Sequence, residues 1–158
     1  MITRLPVGHP DVAAVLREYF DDIVSRYHGR QATGEEIDKA QADEPSEHVD
    51  PFFVSRQGNE IVGCVGVVST EPGTAELTRM FVKASARGNG WAARLLRAAE
   101  DAAREAGVHV MRLDTRSDLV EARALYARHG YQEVEPYGDR LYADHFFEKR
   151  LSVEAREQ

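Results

Sequence analysis

The stretch richest in chemistry is Arg87-Gly88-Asn89-Gly90-Trp91-Ala92. Its glycines let the backbone approach an anion closely, and its arginine adds a permanent cation with bidentate donors. It follows the apolar run Leu77-Thr78-Arg79-Met80-Phe81-Val82 and opens a helical pattern with Trp91, Leu95, Ala99, Ala102 and Ala106 on one face. Strand, glycine loop and helix in that order bind phosphate, because the first helical turn offers unpaired N–H groups and the positive end of the dipole. Gly88-x-Gly90-x-x-Ala93 also fits the dinucleotide fingerprint, with Asp114 near the ribose-binding position. Three features oppose that ligand. Lys83 to Arg87 separate strand from glycine, and Thr78 and Arg79 are too polar for a strand buried on both faces. Too little chain follows Asp114 for a six-stranded sheet.

Arg87-x-x-Gly90-x-Ala92 matches R/Q-x-x-G-x-G/A, and the loop closely resembles the pyrophosphate motif of the GNAT acyltransferase superfamily. The likeness continues downstream. Leu113-Asp114-Thr115 ends a strand, and Ala122 to Tyr131 is similar to the family's A-x-x-L-Y-x-x-x-G-F/Y helix. It covers roughly Pro51 to Leu151, and the first fifty residues only loosely.

The resemblance implies acetyl-CoA as acyl-donor cosubstrate and direct attack of a primary amine, from a small-molecule acceptor, on the thioester. In the family the fourth and fifth strands splay, and the pantetheine arm pairs with free backbone groups of the fourth. By position these belong to Met80, Phe81 and Val82, while Arg87, Gly88, Asn89, Gly90, Trp91 and Ala92 would hold the pyrophosphate. Acyl transfer also needs a base for the ammonium and an acid for the leaving thiolate. Family position gives the acid to Tyr126, which the stripe Ala122, Leu125, His129 would equally explain as a core tyrosine. It gives the base to Glu76, otherwise a strand-end partner of Arg79, with Glu71 as the fallback. Seven residues before this tyrosine, where many members carry asparagine, the chain has Leu119, which removes a polar contact to the arm. Tyr137, Asp139, Arg140 and Tyr142 fall in a loop that borders the acceptor pocket in the family, although loop polarity alone would account for them. The alternative function is a non-catalytic acyl-CoA-binding or regulatory domain.

The elements that position these residues follow from periodicity and caps. Ile2 to Leu5 predicts a short strand, and Pro10-Asp11 opens a helix with the stripe Val12, Val15, Leu16, Tyr19, Phe20, Ile23. Thr33-x-x-Glu36 is a capping box for a polar helix from Glu35 to about Asp43, either a solvated connector or one wall of the acceptor site. Phe52 to Ser55, Ile61 to Ser69 and Ala75 to Val82 predict an antiparallel meander with turns at Gln57 to Glu60 and at Glu71-Pro72-Gly73. Gly63 and Gly66 indicate close packing or a bulge. The loop's helix ends at Gly107, and Val108 to Leu113 predicts a strand reached by a right-handed parallel crossover. Asp118-x-x-Glu121 predicts a capped helix ending at Gly130, with strands at Tyr131 to Val134 and Phe146 to Leu151 and a frayed tail from Val153. The expected fold is α/β: one domain over residues 1–158, with a single mixed, mostly antiparallel sheet of about six to seven strands. Helices cover both faces, and the central parallel pair is splayed.

Composition narrows the partners. Twenty Lys and Arg against 27 Asp and Glu leave a net charge of −7, which argues against nucleic acid. No apolar run approaches the ~18 residues of a membrane span, and Met1-Ile2-Thr3-Arg4-Leu5 is no signal peptide, so a cytoplasmic location is expected. Cys64, the only cysteine, reads as a small core residue. The six histidines show no ligand spacing, and His129 suits a helix C-terminus, so no metal site is expected. A homodimer is the expectation the family brings.

Overall fold

The computed structural model describes residues 1–138 and 143–151. Its elements are β1 (Ile2–Arg4), α1 (Pro10–His28), α2 (Gly34–Asp43), β2 (Phe52–Gln57), β3 (Glu60–Glu71), β4 (Thr74–Val82), α3 (Trp91–Glu105), β5 (Val110–Thr115), α4 (Val120–Arg128), β6 (Gln132–Val134) and β7 (His145–Arg150). One seven-stranded sheet has the order β1-β2-β3-β4-β5-β7-β6, with β4 and β5 parallel and the other neighbouring pairs antiparallel. This is the expected mixed sheet with a central parallel pair.

Local chemistry fixes the ends of the helices. Pro10 stands in the first turn of α1, and Gly29 closes that helix at φ 69°. The capping box of α2 is complete: Thr33 Oγ1 accepts from Glu36 N at 3.2 Å, and Glu36 Oε1 accepts from Thr33 N at 2.8 Å. The bidentate Arg30 guanidinium and the Thr33 amide hold the Glu36 carboxyl down to about 2.

α3 buries Trp91, Leu95, Leu96, Ala99 and Ala103 against one face of the sheet, in a core that includes Leu77, Met111, Leu113, Tyr126 and Phe147. Each of the two leucines of α3 contributes about 1.5–3 kcal/mol by leaving water. The predicted Ala102 and Ala106 stripe is corrected to Ala103. The buried row advances in steps of four from Trp91, and Ala106 is already the C-cap, outside the helix. α1 covers the opposite face with Val12, Val15 and Leu16, which pack with Val49, Phe52, Cys64 and Phe81.

Further boundaries differ from expectation. The Val108 amide returns to Ala103 O at 2.9 Å to close α3, so β5 starts at Val110 and runs to Thr115. Asp118 does not cap α4. It pairs with Arg116 at 2.9 Å, and the N-cap is Leu119 without a side-chain bond. The strands expected to open at Tyr131 and Phe146 start at Gln132 and His145.

The two glycines of β3 meet both expectations. A Cβ on Gly63 would lie 2.6 Å from Phe81 O, and one on Gly66 would overlap Val49 Cγ1. Between Cys64 and Gly66 the β3–β4 register shifts, so β4 carries the bulge that faces them. Cys64 is fully buried, its Sγ donates to Arg79 O at 3.2 Å, and burial pushes its thiol up. The expected tail from Val153 lies outside the described residues.

Candidate active site

The split in the sheet comes from register. β4 and β5 pair at Thr74↔Val110, Ala75↔Met111 and Glu76↔Arg112, and the pairing ends there. β4 continues to Val82, held along its other edge by β3 through Gly66↔Thr78, Cys64↔Phe81 and Gly63↔Val82. Met80, Phe81 and Val82 therefore lie on the stretch of β4 that has parted from β5, where an extended ligand can pair as an added strand.

The glycine loop stands at the end of that stretch. A turn of 3-10 helix at Ala84–Ala86 leads into Gly88 and Gly90, whose φ values of 85° and 78° lie in the left-handed region that suits glycine. Gly90 is the N-cap of α3 and brings no side-chain bond, so no side chain at this cap covers the first-turn N–H groups at Trp91 and Ala92. Arg94 Nη2 donates to Asn89 O at 2.5 Å and its guanidinium stacks 4.1 Å from the Trp91 ring centroid. Asn89 Nδ2 donates to Ala86 O at 3.1 Å. Trp91 itself is anchored through Nε1 to Gln57 Oε1 at 3.1 Å.

Arg87 is aimed by two contacts. Its Nε donates to Val82 O at 3.1 Å, and Nη2 lies 3.8 Å from Asp22 on α1. Asp22 also pairs with Arg26 at 3.5 Å, and Arg26 reaches Glu121 on α4. Beside the loop, Glu18, Asp22, Phe81, Lys83 and Ala84 line a cleft of about 290 Å³. The fit to a pyrophosphate rests on this chain's own groups: a cation held at the strand end, two left-handed glycines and an uncapped helix start.

Tyr126 is 5% exposed, within the α3-side core, with ring centroids 5.8 Å from Tyr131 and 6.2 Å from Phe147. Burial pushes its phenol well above the usual tyrosine range, and Tyr19 and Asp114 add to the rise. Glu76 lies on the other face, since its neighbours Ala75 and Leu77 belong to the α3-side core. The two candidate residues thus approach the split sheet from opposite faces. Glu71, the fallback base, pairs with Arg112 at 3.5 Å, and Arg112 also engages Glu148 at 3.0 Å. Arg79, the partner that the alternative reading gives Glu76, turns its guanidinium toward Ser46 and the carbonyls of Glu44 and Pro45.

Tyr137 lies against Arg112, 5.0 Å from guanidinium carbon to ring centroid, and against Phe146 at 4.9 Å. Asp139, Arg140 and Tyr142 lie outside the described residues. The structure adds Tyr19, whose ring meets Phe81 edge-on at 6.5 Å and whose phenol is pushed up by desolvation against the pull of Arg79. Its place in an apolar stripe concealed it, because a tyrosine on a helix face reads as core. Among the described residues no group of three or more His, Cys, Asp or Glu could hold a metal, and no helix is long and apolar enough to cross a membrane.

The model of the Acetyltransferase (GNAT) family matches residues 14–131. The chain belongs to this family. Acetyl transfer is the chemistry of that family. A stretch of 88 residues is 39% identical to an IAA acetyltransferase of Azospirillum brasilense, covering 55% of this chain and 58% of that one. A solved structure from Klebsiella pneumoniae, assigned as an acyl-CoA N-acyltransferase, matches with TM-score 0.72 and 28% identity over 96% of this chain and 97% of the other. The PaiA N-acetyltransferase of Thermoplasma acidophilum, solved with coenzyme A, shares the fold: TM-score 0.74 at 16% identity, over 95% of this chain and 99% of that one.

Proposed function

We propose that the protein is an N-acetyltransferase that moves an acetyl group from acetyl-CoA to the primary amine of a small molecule by direct attack on the thioester. The observation that carries this reading is the parting of β4 from β5 after Glu76↔Arg112, with the glycine loop at the far end of the freed stretch. The loop amides and Arg87 hold the pyrophosphate of the donor. The backbone of Met80, Phe81 and Val82 pairs with its arm, and an N–H there polarises the thioester carbonyl. Glu76 takes a proton from the incoming ammonium through water. The amine nitrogen bonds the carbonyl carbon, the C–S bond breaks, Tyr126 protonates the leaving sulfur, and the second proton lost by the nitrogen restores the phenol. A cytoplasmic location and a homodimer belong to the same reading.

Incubation with acetyl-CoA and a panel of amino acids, polyamines, arylalkylamines and a peptide with a free N-terminal alanine, read by thiol release, tests it. One amine should give turnover that saturates in both substrates. Tight acetyl-CoA binding with no thiol release from any amine would instead mark an acyl-CoA-binding or regulatory domain.

A further inference from the structure

Arg79 has the one positive φ, 58°, among the described non-glycine residues. Such a backbone persists only where its surroundings over-determine it. Here they do. Arg79 stands in the β4 bulge opposite the register shift between Cys64 and Gly66, and its carbonyl accepts from Cys64 Sγ at 3.2 Å. Its side chain is 7% exposed, yet most of its donors are used. Nε donates to Ser46 Oγ at 3.2 Å, Nη1 to Thr78 Oγ1 at 2.7 Å, and Nη2 to the carbonyls of Glu44 at 3.2 Å and Pro45 at 3.4 Å. The guanidinium also lies 5.5 Å from the Phe20 ring centroid on α1.

These contacts join two parts of the chain. One is the bulge, next to the freed stretch of β4. The other is the segment after α2, residues 44–50, which crosses the α1 face of β3 and β4. Val49 packs there against Gly66, and the Asp50 amide bonds Val67 O at 3.0 Å. The segment borders the face that carries Glu76, Arg112 and Asp114.

We propose that Arg79 is a positioning residue for the acceptor: it straps the 44–50 segment to the β4 bulge and so sets the distance between the acceptor wall and the strand that holds the thioester. The inference rests on the acetyltransferase reading for its function, and on the hydrogen bonds alone for its structural half. A lysine cannot replace this residue, because one ammonium cannot span Ser46, Thr78 and two carbonyls as a planar fork does.

Hydrogen–deuterium exchange of the full chain tests the strap. In Arg79→Met the Val49 and Asp50 amides should exchange at least about tenfold faster, while Leu95 to Ala99 in α3 stay within about twofold. Arg79→Lys should show the same local loss and serves where the methionine variant does not fold. Coenzyme A affinity, by calorimetry, should stay within about twofold in a variant that folds. With tyramine and spermidine as probe amines at saturating acetyl-CoA, the amine KM should rise about fivefold or more against a kcat within about twofold. Unchanged exchange at Val49 and Asp50, or an equal rise in α3, overturns the proposal, as does an amine KM that does not move for a probe that is turned over. Failure of the wild-type chain to bind coenzyme A would count against the acetyltransferase reading instead, and leaves the exchange test standing.

Discussion

Glu76 and Arg112 face each other across the last bridge of the parallel β4–β5 pair, and past them the two strands part. Arg112 is tied down by Glu148 at 3.0 Å and by Glu71 at 3.5 Å. The end of the pairing is therefore an ion-paired corner, with Glu76 at the threshold of the opening. β3 holds the far edge of β4 and β7 holds the far edge of β5, so the gap stays open without a partner strand.

Arg87 gives the first prediction. Acetyl-CoA at a hundredfold excess over its dissociation constant should stabilise the chain by roughly 2.7 kcal/mol. Arg87→Ala removes a charge-assisted phosphate contact of ~1.5–3 kcal/mol and should weaken coenzyme binding about 10–150-fold. Calorimetric titration with coenzyme A reads this directly, and an unchanged affinity would take Arg87 out of the binding site.

Tyr126 gives the second. Tyr126→Phe keeps the ring packing against Tyr131 and Phe147 and deletes only the hydroxyl with its acidic proton. Turnover should fall about 10²–10⁴-fold with coenzyme affinity nearly intact. Because burial raises the phenol, it stays protonated through the neutral range and contributes no limb to the pH profile below its ordinary value of 10.0. The same shift has a stability consequence. Below 10.0 folded and unfolded chains both hold the proton; above it the unfolded chain releases it first, so stability falls as pH rises. Denaturant titrations above about pH 10 should show this loss, less steep in Tyr126→Phe. A stability loss at neutral pH with normal turnover would assign Tyr126 to the core alone.

Much of this architecture was legible because its signals are local. The capping box at Thr33 and Glu36, the glycines at 88, 90 and 107, and the meander turns each fix one element by themselves. The loop was legible for the same reason: its chemistry lies in consecutive residues. What escaped depends on contacts across the chain. Tyr19 reaches the split only because α1 lies over Phe81. Strand spacing offers Arg79 as an alternative partner for Glu76, whereas the bulge turns it toward residues 33 to 35 positions earlier. Asp118 looked like a cap until Arg116 claimed it. No periodicity encodes such competition.

The third prediction concerns a buried carboxylate that sequence patterning did not mark. Glu100 in α3 is 6% exposed and accepts from Tyr131 Oη at 2.8 Å and from Lys149 Nζ at 3.0 Å. It locks α3 and Tyr131, the residue that leads into β6, to β7. Arg104 Nη2 stays 3.7 Å from Glu100 Oε1, so Lys149→Met should cost less than the about 3–5 kcal/mol of an uncompensated buried charge, and Tyr131→Phe about 1–3 kcal/mol. Chemical denaturation of the two variants measures both, and a Lys149→Met loss within error of zero would show that the charge is compensated elsewhere.

Glu76 supports the last prediction. A lysine-like acceptor amine has a pKa near ~10.4 and arrives mostly as ammonium, which cannot attack. Some group must take the proton, and Glu76 stands on the face opposite α3, where the strands part. Glu76→Gln preserves the shape of the side chain and removes the base. Its rate should drop at neutral pH and recover in part as pH rises, because more of the amine then arrives neutral without help. The check is kcat/KM against pH for wild type and variant with the same amine, in which the variant's profile should move toward alkaline pH. Coenzyme A affinity should stay level in both, since Glu76 precedes the freed stretch of β4. Should rate and pH profile coincide, Glu76 is a structural carboxylate of the corner. Proton removal would then fall to Glu71, to the last loop or to bulk water, and Glu71→Gln measured in the same way separates the first of these from the rest.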